Sequence, residues 1–225
     1  MMDDDAPLPV PGATAPLRVY GPAGRIELLL SAPREPATRP GFAVVCHPHP
    51  LFGGAMSNKV VYTLAACATQ AGLYALRFNF RGVGYSEGVH DRGRGETEDV
   101  LFLVNWMRQR LPQAPLLLAG FSFGAFVSVK AAAAAKPAVQ VSVAPPFEKY
   151  VDEPVPPRPD CPWLVLHGTA DDVVDYAQTR RVLQTFSPPP ELVTVEGAGH
   201  FFHGRLDVIR DAAVPFIAEH WPRPD

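Results

Sequence analysis

Three short stretches carry residues whose types and order could do nucleophilic chemistry. Gly120-Phe121-Ser122-Phe123-Gly124 sets a serine between two glycines, Asp171-Asp172 follows further along, and Gly199-His200 comes after that. A serine hydroxyl is a weak nucleophile near neutral pH; it needs a base within hydrogen-bond reach and a carboxylate to orient that base. A G-x-S-x-G placed between a strand and a helix is the signature of a nucleophile elbow, with the acid and then the histidine following in chain order. Ser122 is therefore read as the nucleophile, His200 as the base and Asp171 as its orienter, with Asp172 the near rival. One aspartate is expected to cap the next turn while the other holds His200. Asp152 and Asp160 are outside candidates. The other histidines fit less well: His47, His49 and His90 precede the serine, His167 ends a strand, His203 is expected to begin the last helix, and His220 suits a helix end.

Attack on an acyl carbon builds negative charge on oxygen, and that charge needs two preorganised donors. The Phe123 N–H, directly after the nucleophile, is the first. The second is expected from His47-Pro48-His49-Pro50-Leu51-Phe52-Gly53-Gly54. Pro48 and Pro50 have no N–H, which leaves Leu51 or His49. Leu51 is preferred because Gly53-Gly54 frees the loop to turn there. A metal reading of the two histidines is poorer, since no third ligand has clear spacing. Gly82-Val83-Gly84 is read as a tight turn and not as a dinucleotide fingerprint.

These residues must be positioned by regular elements, and the pattern supplies them. Residues 17–20 and 25–30 flank Gly21-Pro22-Ala23-Gly24 and read as a β-hairpin. Apolar runs at 42–46, 74–80, 115–119, 139–143, 163–168 and 192–195 read as strands. The runs at 42–46 and 115–119 are continuously apolar, as expected for strands covered on both faces. Helices are expected between them: after Asn58, from about Glu96 to Arg110, after the elbow, from about Asp175 to Phe186, and from Gly204 to Trp221. Alternation of this kind implies a mostly parallel sheet with helices on both faces, and chemistry beyond the carboxyl ends of the strands. Residues 144–161 are proline-rich and too short for a multi-helix cap. Phe52, Phe121, Phe123, Phe147, Phe201 and Phe202 are the candidate walls of an acyl pocket.

Composition narrows the function class. The chain has 225 residues and a formal net charge of -3, with no run of like charge. Nucleic acid and membrane are not expected partners. Cys46, Cys67 and Cys161 are widely spaced with no C-x-x-C, so no disulfide framework or zinc knuckle is indicated and a reducing cytoplasm is the simplest location. The N-terminus lacks a basic start and an apolar core, so no signal peptide is read. Residues 1–16 are read as a disordered lead-in and residues 17–225 as one domain.

His-Pro-His-Pro-Leu-x-Gly-Gly at 47–54, Asn58-Lys59-Val60-Val61, and Arg-Phe-Asn-Phe-Arg-Gly-Val-Gly at 77–84 are longer strings than the elbow. Through them the chain resembles the α/β-hydrolase superfamily, and within it a group of small, lidless bacterial serine hydrolases. The resemblance covers nearly the whole chain from about residue 17. It implies a Ser122–Asp171–His200 triad, carboxylesterase-like chemistry on a small acyl ester, and no cofactor or metal. Thioesterase, peptidase or acyltransferase activity is the alternative within enzymes, and a non-catalytic binding protein of the same fold the alternative outside them. Dienelactone hydrolases, which are more distantly similar, place a cysteine at the nucleophile position; Ser122 here points to ordinary esters or thioesters.

Overall fold

The computed structural model describes residues 5–38, 40–149 and 154–223. The expected hairpin is β1 (Thr14–Gly21) and β2 (Gly24–Ser31), paired from Thr14 opposite Ser31 to Gly21 opposite Gly24. Its start corrects the expected lead-in. Residues 14–16 belong to β1, and the Gly12 N–H donates to the Pro33 carbonyl at 3.1 Å. Prolines suggested disorder there, but β1 is an edge strand, where Pro16 needs no N–H for the ladder. Residues 1–4 lie outside the described residues.

Six parallel strands follow: β3 (Phe42–Cys46), β4 (Tyr74–Phe78), β5 (Leu116–Phe121), β6 (Val139–Val143), β7 (Trp163–Gly168) and β8 (Glu191–Val195). With the hairpin they form an 8-stranded sheet in the order β1-β2-β4-β3-β5-β6-β7-β8. The helices are α1 (Lys59–Gln70), α2 (Arg94–Arg110), α3 (Phe123–Ala135), α4 (Tyr176–Leu183) and α5 (Leu206–His220).

The continuous apolar strands are explained by burial on both faces. Phe42, Val44 and Cys46 of β3 join one core with α2 and α3, while Ala43 and Val45 join the other with α1 and α5. Because successive side chains alternate across a strand, each strand feeds both cores. Local signals set the helix starts. Asn58 Oδ1 accepts from the Val60 N–H at 2.9 Å, satisfying one of the donors a helix start leaves open. Glu96 reaches back to the Gly93 N–H at 2.8 Å and does the same for α2. The last helix starts at Leu206, so His203 lies in the turn before it. The connection from β6 to β7 contains one short 3₁₀ turn, Phe147–Lys149, among its described residues and no cap; Asp152 lies outside the described residues. No helix among the described residues is long and apolar enough to cross a membrane.

Candidate active site

The turn from β5 to α3 is as tight as the two glycines require. Ser122 has φ 54° and ψ −124°, a conformation that costs a side-chain-bearing residue roughly 1–3 kcal/mol. A Cβ on Gly120 would stand 2.2 Å from the Gly124 carbonyl oxygen, and one on Gly124 would stand 2.4 Å from the Cys46 carbonyl oxygen. The first contact closes the elbow on itself. The second lets the start of α3 press against the end of β3. The Ser122 N–H donates to the Val143 carbonyl at 2.8 Å, and the Ser122 carbonyl accepts from the Ala125 N–H at 2.8 Å, so the strained residue is held from both sides.

The base arrives on the loop after β8. Gly197 supplies a positive φ of 69°. The loop is sewn to the one after β7: the Ala170 N–H donates to the Ala198 carbonyl at 3.1 Å, and the Gly197 N–H to Thr169 Oγ1 at 2.9 Å. The His200 ring packs on Phe121, with centroids 4.8 Å apart. Its Nδ1 lies 2.8 Å from Asp171 Oδ2 and its Nε2 3.1 Å from Ser122 Oγ. A carboxylate accepts only, so Nδ1 donates its proton to Asp171, and Nε2 is left with a lone pair facing the serine hydroxyl. Ser122, Asp171 and His200, predicted from order alone, are thus brought together in one line.

Asp171 corrects the expected division of labour between the two aspartates. Its Oδ2 faces His200, while Oδ1 accepts from the Val173 N–H at 2.9 Å and the Val174 N–H at 2.7 Å. One carboxylate has two oxygens and does both jobs; the cap of α4 is Asp175, and Asp172 does neither. Burial pushes the Asp171 carboxyl up. The bond from His200, the two N–H donors and the histidine's charge outweigh it and hold the group below its usual range. An ionised Asp171 is what keeps the imidazole in the useful tautomer.

On the other side of the serine lies the loop after β3. The Leu51 N–H, the expected second oxyanion donor, is engaged: it donates to His49 Nδ1 at 3.2 Å in the first turn of a short 3₁₀ helix. That bond sets the Leu51 N–H against the loop's own side chain, whereas Leu51 was the preferred donor. The His49 N–H has no partner among the described residues, and the His49 ring lies 4.9 Å from that of Phe123. Phe123 is the first residue of α3, so its N–H precedes the helical ladder. Of the two candidate donors on this loop, His49 is thus the one whose N–H is not engaged among the described residues.

Comparison with known proteins agrees with this architecture. A family profile for the alpha/beta hydrolase fold matches residues 44–153. The structure of XC6422 from Xanthomonas campestris, an α/β serine hydrolase without a lid, superposes with a TM-score of 0.90 at 38% identity, covering 98% of this chain and 100% of that one. An α/β serine hydrolase homologue from Coxiella burnetii gives 0.83 at 40% identity, covering 89% of this chain and 96% of its own. RP471, an uncharacterized protein of Rickettsia prowazekii, is 34% identical over 208 residues, 88% of this chain and 86% of that protein. The chain belongs to the α/β-hydrolase family, in its small lidless group.

Several residues that build this α/β-hydrolase site were not singled out by sequence reasoning. His47 is fully buried; its Nδ1–H donates to the Pro48 carbonyl at 2.6 Å and its Nε2 accepts from the Phe80 N–H at 2.9 Å. It staples the loop after β3 to the loop after β4. Both ring nitrogens are in use, so a metal could bind only by breaking the staple. Burial pushes its pKa down to about 4, with His49 adding to the effect and the bond to Pro48 opposing it. His90 stacks 4.8 Å from His49, and its Nδ1 lies 2.7 Å from the buried Glu96, off the line of a hydrogen bond. Arg81, in the turn after β4, is clamped by Asp99 at 2.8 and 3.1 Å. The tandem His-Pro string was the available signal for His47; nothing in the spacing pointed to Glu96 as the anchor of the 90–93 loop.

The aromatic wall is thinner than expected. Phe121, Phe123, Phe147 and Phe202 are buried in the two cores. Only Phe52 and Phe201, 86% and 45% exposed, stand at the rim with Leu51 and Val173.

Proposed function

We propose that the chain is a serine carboxylesterase acting on small carboxylic esters. The reading rests on one observation above others: a single buried imidazole spans Asp171 Oδ2 at 2.8 Å and Ser122 Oγ at 3.1 Å. Ser122 Oγ attacks the acyl carbon as its proton passes to His200 Nε2. Asp171 stabilises the resulting imidazolium without taking its proton. The Phe123 and His49 N–H groups receive the oxyanion. The tetrahedral intermediate collapses, the bond to the alcohol oxygen breaks, and His200 returns its proton to that oxygen. Water then attacks the acyl-enzyme, gives one proton to His200, and releases the acid as Ser122 is reprotonated. Nucleophile, base, orienter and oxyanion donors all come from the chain itself.

The test is labelling with a fluorophosphonate probe together with hydrolysis of p-nitrophenyl acetate. Wild-type protein is expected to do both, and Ser122→Ala neither, with an unchanged circular dichroism spectrum. Hydrolysis retained by folded Ser122→Ala would overturn the reading.

A further inference from the structure

The string Arg77-Phe78-Asn79-Phe80-Arg81 places two arginines near one another and the fold treats them differently. Both are 8% exposed. Arg81 is paired: its guanidinium makes the two-pronged bond to Asp99 and a third to Glu98 at 3.2 Å. Arg77 meets no carboxylate among the described residues. One of its nitrogens, Nη1, donates to the Met56 carbonyl at 3.0 Å, and its guanidinium lies 5.1 Å from the centre of the Tyr62 ring. A guanidinium carries five donors in a planar fork. A buried cation without a counter-charge costs several kcal/mol unless something pairs with it.

What Arg77 faces is a cleft of about 570 Å³ between the β1–β2 hairpin and α1. That is within the range of small-molecule sites. None of its lining residues belongs to the triad or its loops. Arg34 is a second cation on its wall and Glu35 a single carboxylate, both exposed. Thr14 Oγ1 and Ser31 Oγ lie 2.9 Å apart on the same wall. One hydroxyl donates to the other, which leaves the second O–H to point elsewhere. The remaining guanidinium donors, a second arginine and a spare hydroxyl make a lining rich in donors, in which Glu35 is the one carboxylate.

We propose that this cleft is a second ligand site, separate from the serine site, for a small organic oxyanion bound through the Arg77 fork. Carboxylate and phosphate monoester share the required chemistry, a planar or tetrahedral pair of oxygens matching the guanidinium. The site stands whether or not Ser122 is an esterase nucleophile, because no residue is shared.

The experiment is an amide and arginine-side-chain ¹H–¹⁵N titration of the full chain, with sodium phosphate in one arm and sodium acetate in the other, against sodium chloride at equal ionic strength. Saturable shifts are expected at Thr14, Ser31, Tyr62 and the Arg77 Nε–H in at least one oxyanion arm and not with chloride. The arm that saturates at lower concentration names the class. Arg77→Met should weaken binding at least about tenfold, the value of a charge-assisted bond. Because Arg77 also holds the Met56 loop, a second variant is needed. Ala66→Glu brings a carboxylate to the cleft wall from α1, removes no native contact of Arg77, and should weaken binding similarly with p-nitrophenyl acetate hydrolysis unchanged. Shifts that grow linearly with any salt, or a saturable site indifferent to Ala66→Glu, would overturn the proposal.

Discussion

The two sides of Ser122 are built on different principles. Toward β7 and β8, the groups that the proposed reaction uses are side chains: an imidazole and a carboxylate, each placed by a loop, with the imidazole 2.8 Å from the carboxylate and 3.1 Å from Ser122 Oγ. Toward β3, the groups that the proposed reaction uses are backbone N–H donors, and the side chains around them are scaffolding. There His47 staples one loop to the next and the His49 imidazole occupies the Leu51 N–H. The difference teaches where sequence reading succeeds. A side-chain function is written in residue type, so Ser, Asp and His could be chosen by order. A backbone function is written in loop conformation, which residue type constrains chiefly through proline and glycine.

The largest loss is expected on the acid side. Asp171→Asn keeps an oxygen for the Val173 and Val174 N–H groups but turns an NH₂ toward His200 Nδ1, favouring the wrong tautomer. kcat is expected to fall roughly 10³-fold or more, while Asp172→Asn stays near wild type. Steady-state kinetics on p-nitrophenyl acetate decide it; the opposite ranking would place the orienting acid one residue later.

The donor side is sharpened by a pair of variants at one position. His49 has φ −54° and ψ 122°, a conformation proline adopts without strain. His49→Pro deletes the N–H and the imidazole; His49→Ala deletes the imidazole only. Relative to His49→Ala, His49→Pro is expected to lower kcat by about 10²–10³, the usual loss for one oxyanion donor. Equal activity of the two would return the role to another backbone group.

The scaffolding makes its own prediction, in stability. Folded His47 is neutral, with a pKa near 4 against about 6.5 in the unfolded chain. Between those values the unfolded state binds a proton that the folded state refuses. The contribution is therefore fully present above about pH 6.5 and is lost as pH falls toward 4. The full window is worth roughly 3 kcal/mol. His167 and His49, also held low mainly by burial, titrate in the same direction, so the variant isolates one share. Urea unfolding between pH 7 and 4.5 should show a shallower loss for His47→Gln than for wild type. Identical slopes would mean that folded His47 takes up its proton over the same pH range as the unfolded chain.

Much of the fold was legible because burial on both faces leaves unbroken apolar runs. β6 and β7 have the ends that the runs predicted. Lead-in and aspartates were misread for local reasons. Prolines at 7, 9, 11 and 16 look like disorder unless the edge position of β1 is known, and edge position is a tertiary fact. Asp171 and Asp172 looked like two residues sharing two tasks, yet the two oxygens of one carboxylate serve both. The Phe residues near the site were also ambiguous, since a Phe beside a strand is as ready to fill a core as to line a pocket.

The burial of these Phe side chains bears on substrate length. No cap covers the sheet edge among the described residues, and the rim consists of exposed side chains: Phe52, Leu51, Phe201 and Val173. An acyl chain gains about 0.8 kcal/mol, roughly fourfold in kcat/KM, for each CH₂ that the transition state removes from water. The gain stops where the chain leaves the shelter of Phe201 and the rim, because further CH₂ groups stay in solvent in both states. Longer chains then add entropy to be lost on ordering without new burial. Over p-nitrophenyl esters from acetate to palmitate, kcat/KM should peak among the short acyl chains and fall beyond them. A maximum at palmitate would require a long covered channel, which an open rim of this kind does not supply.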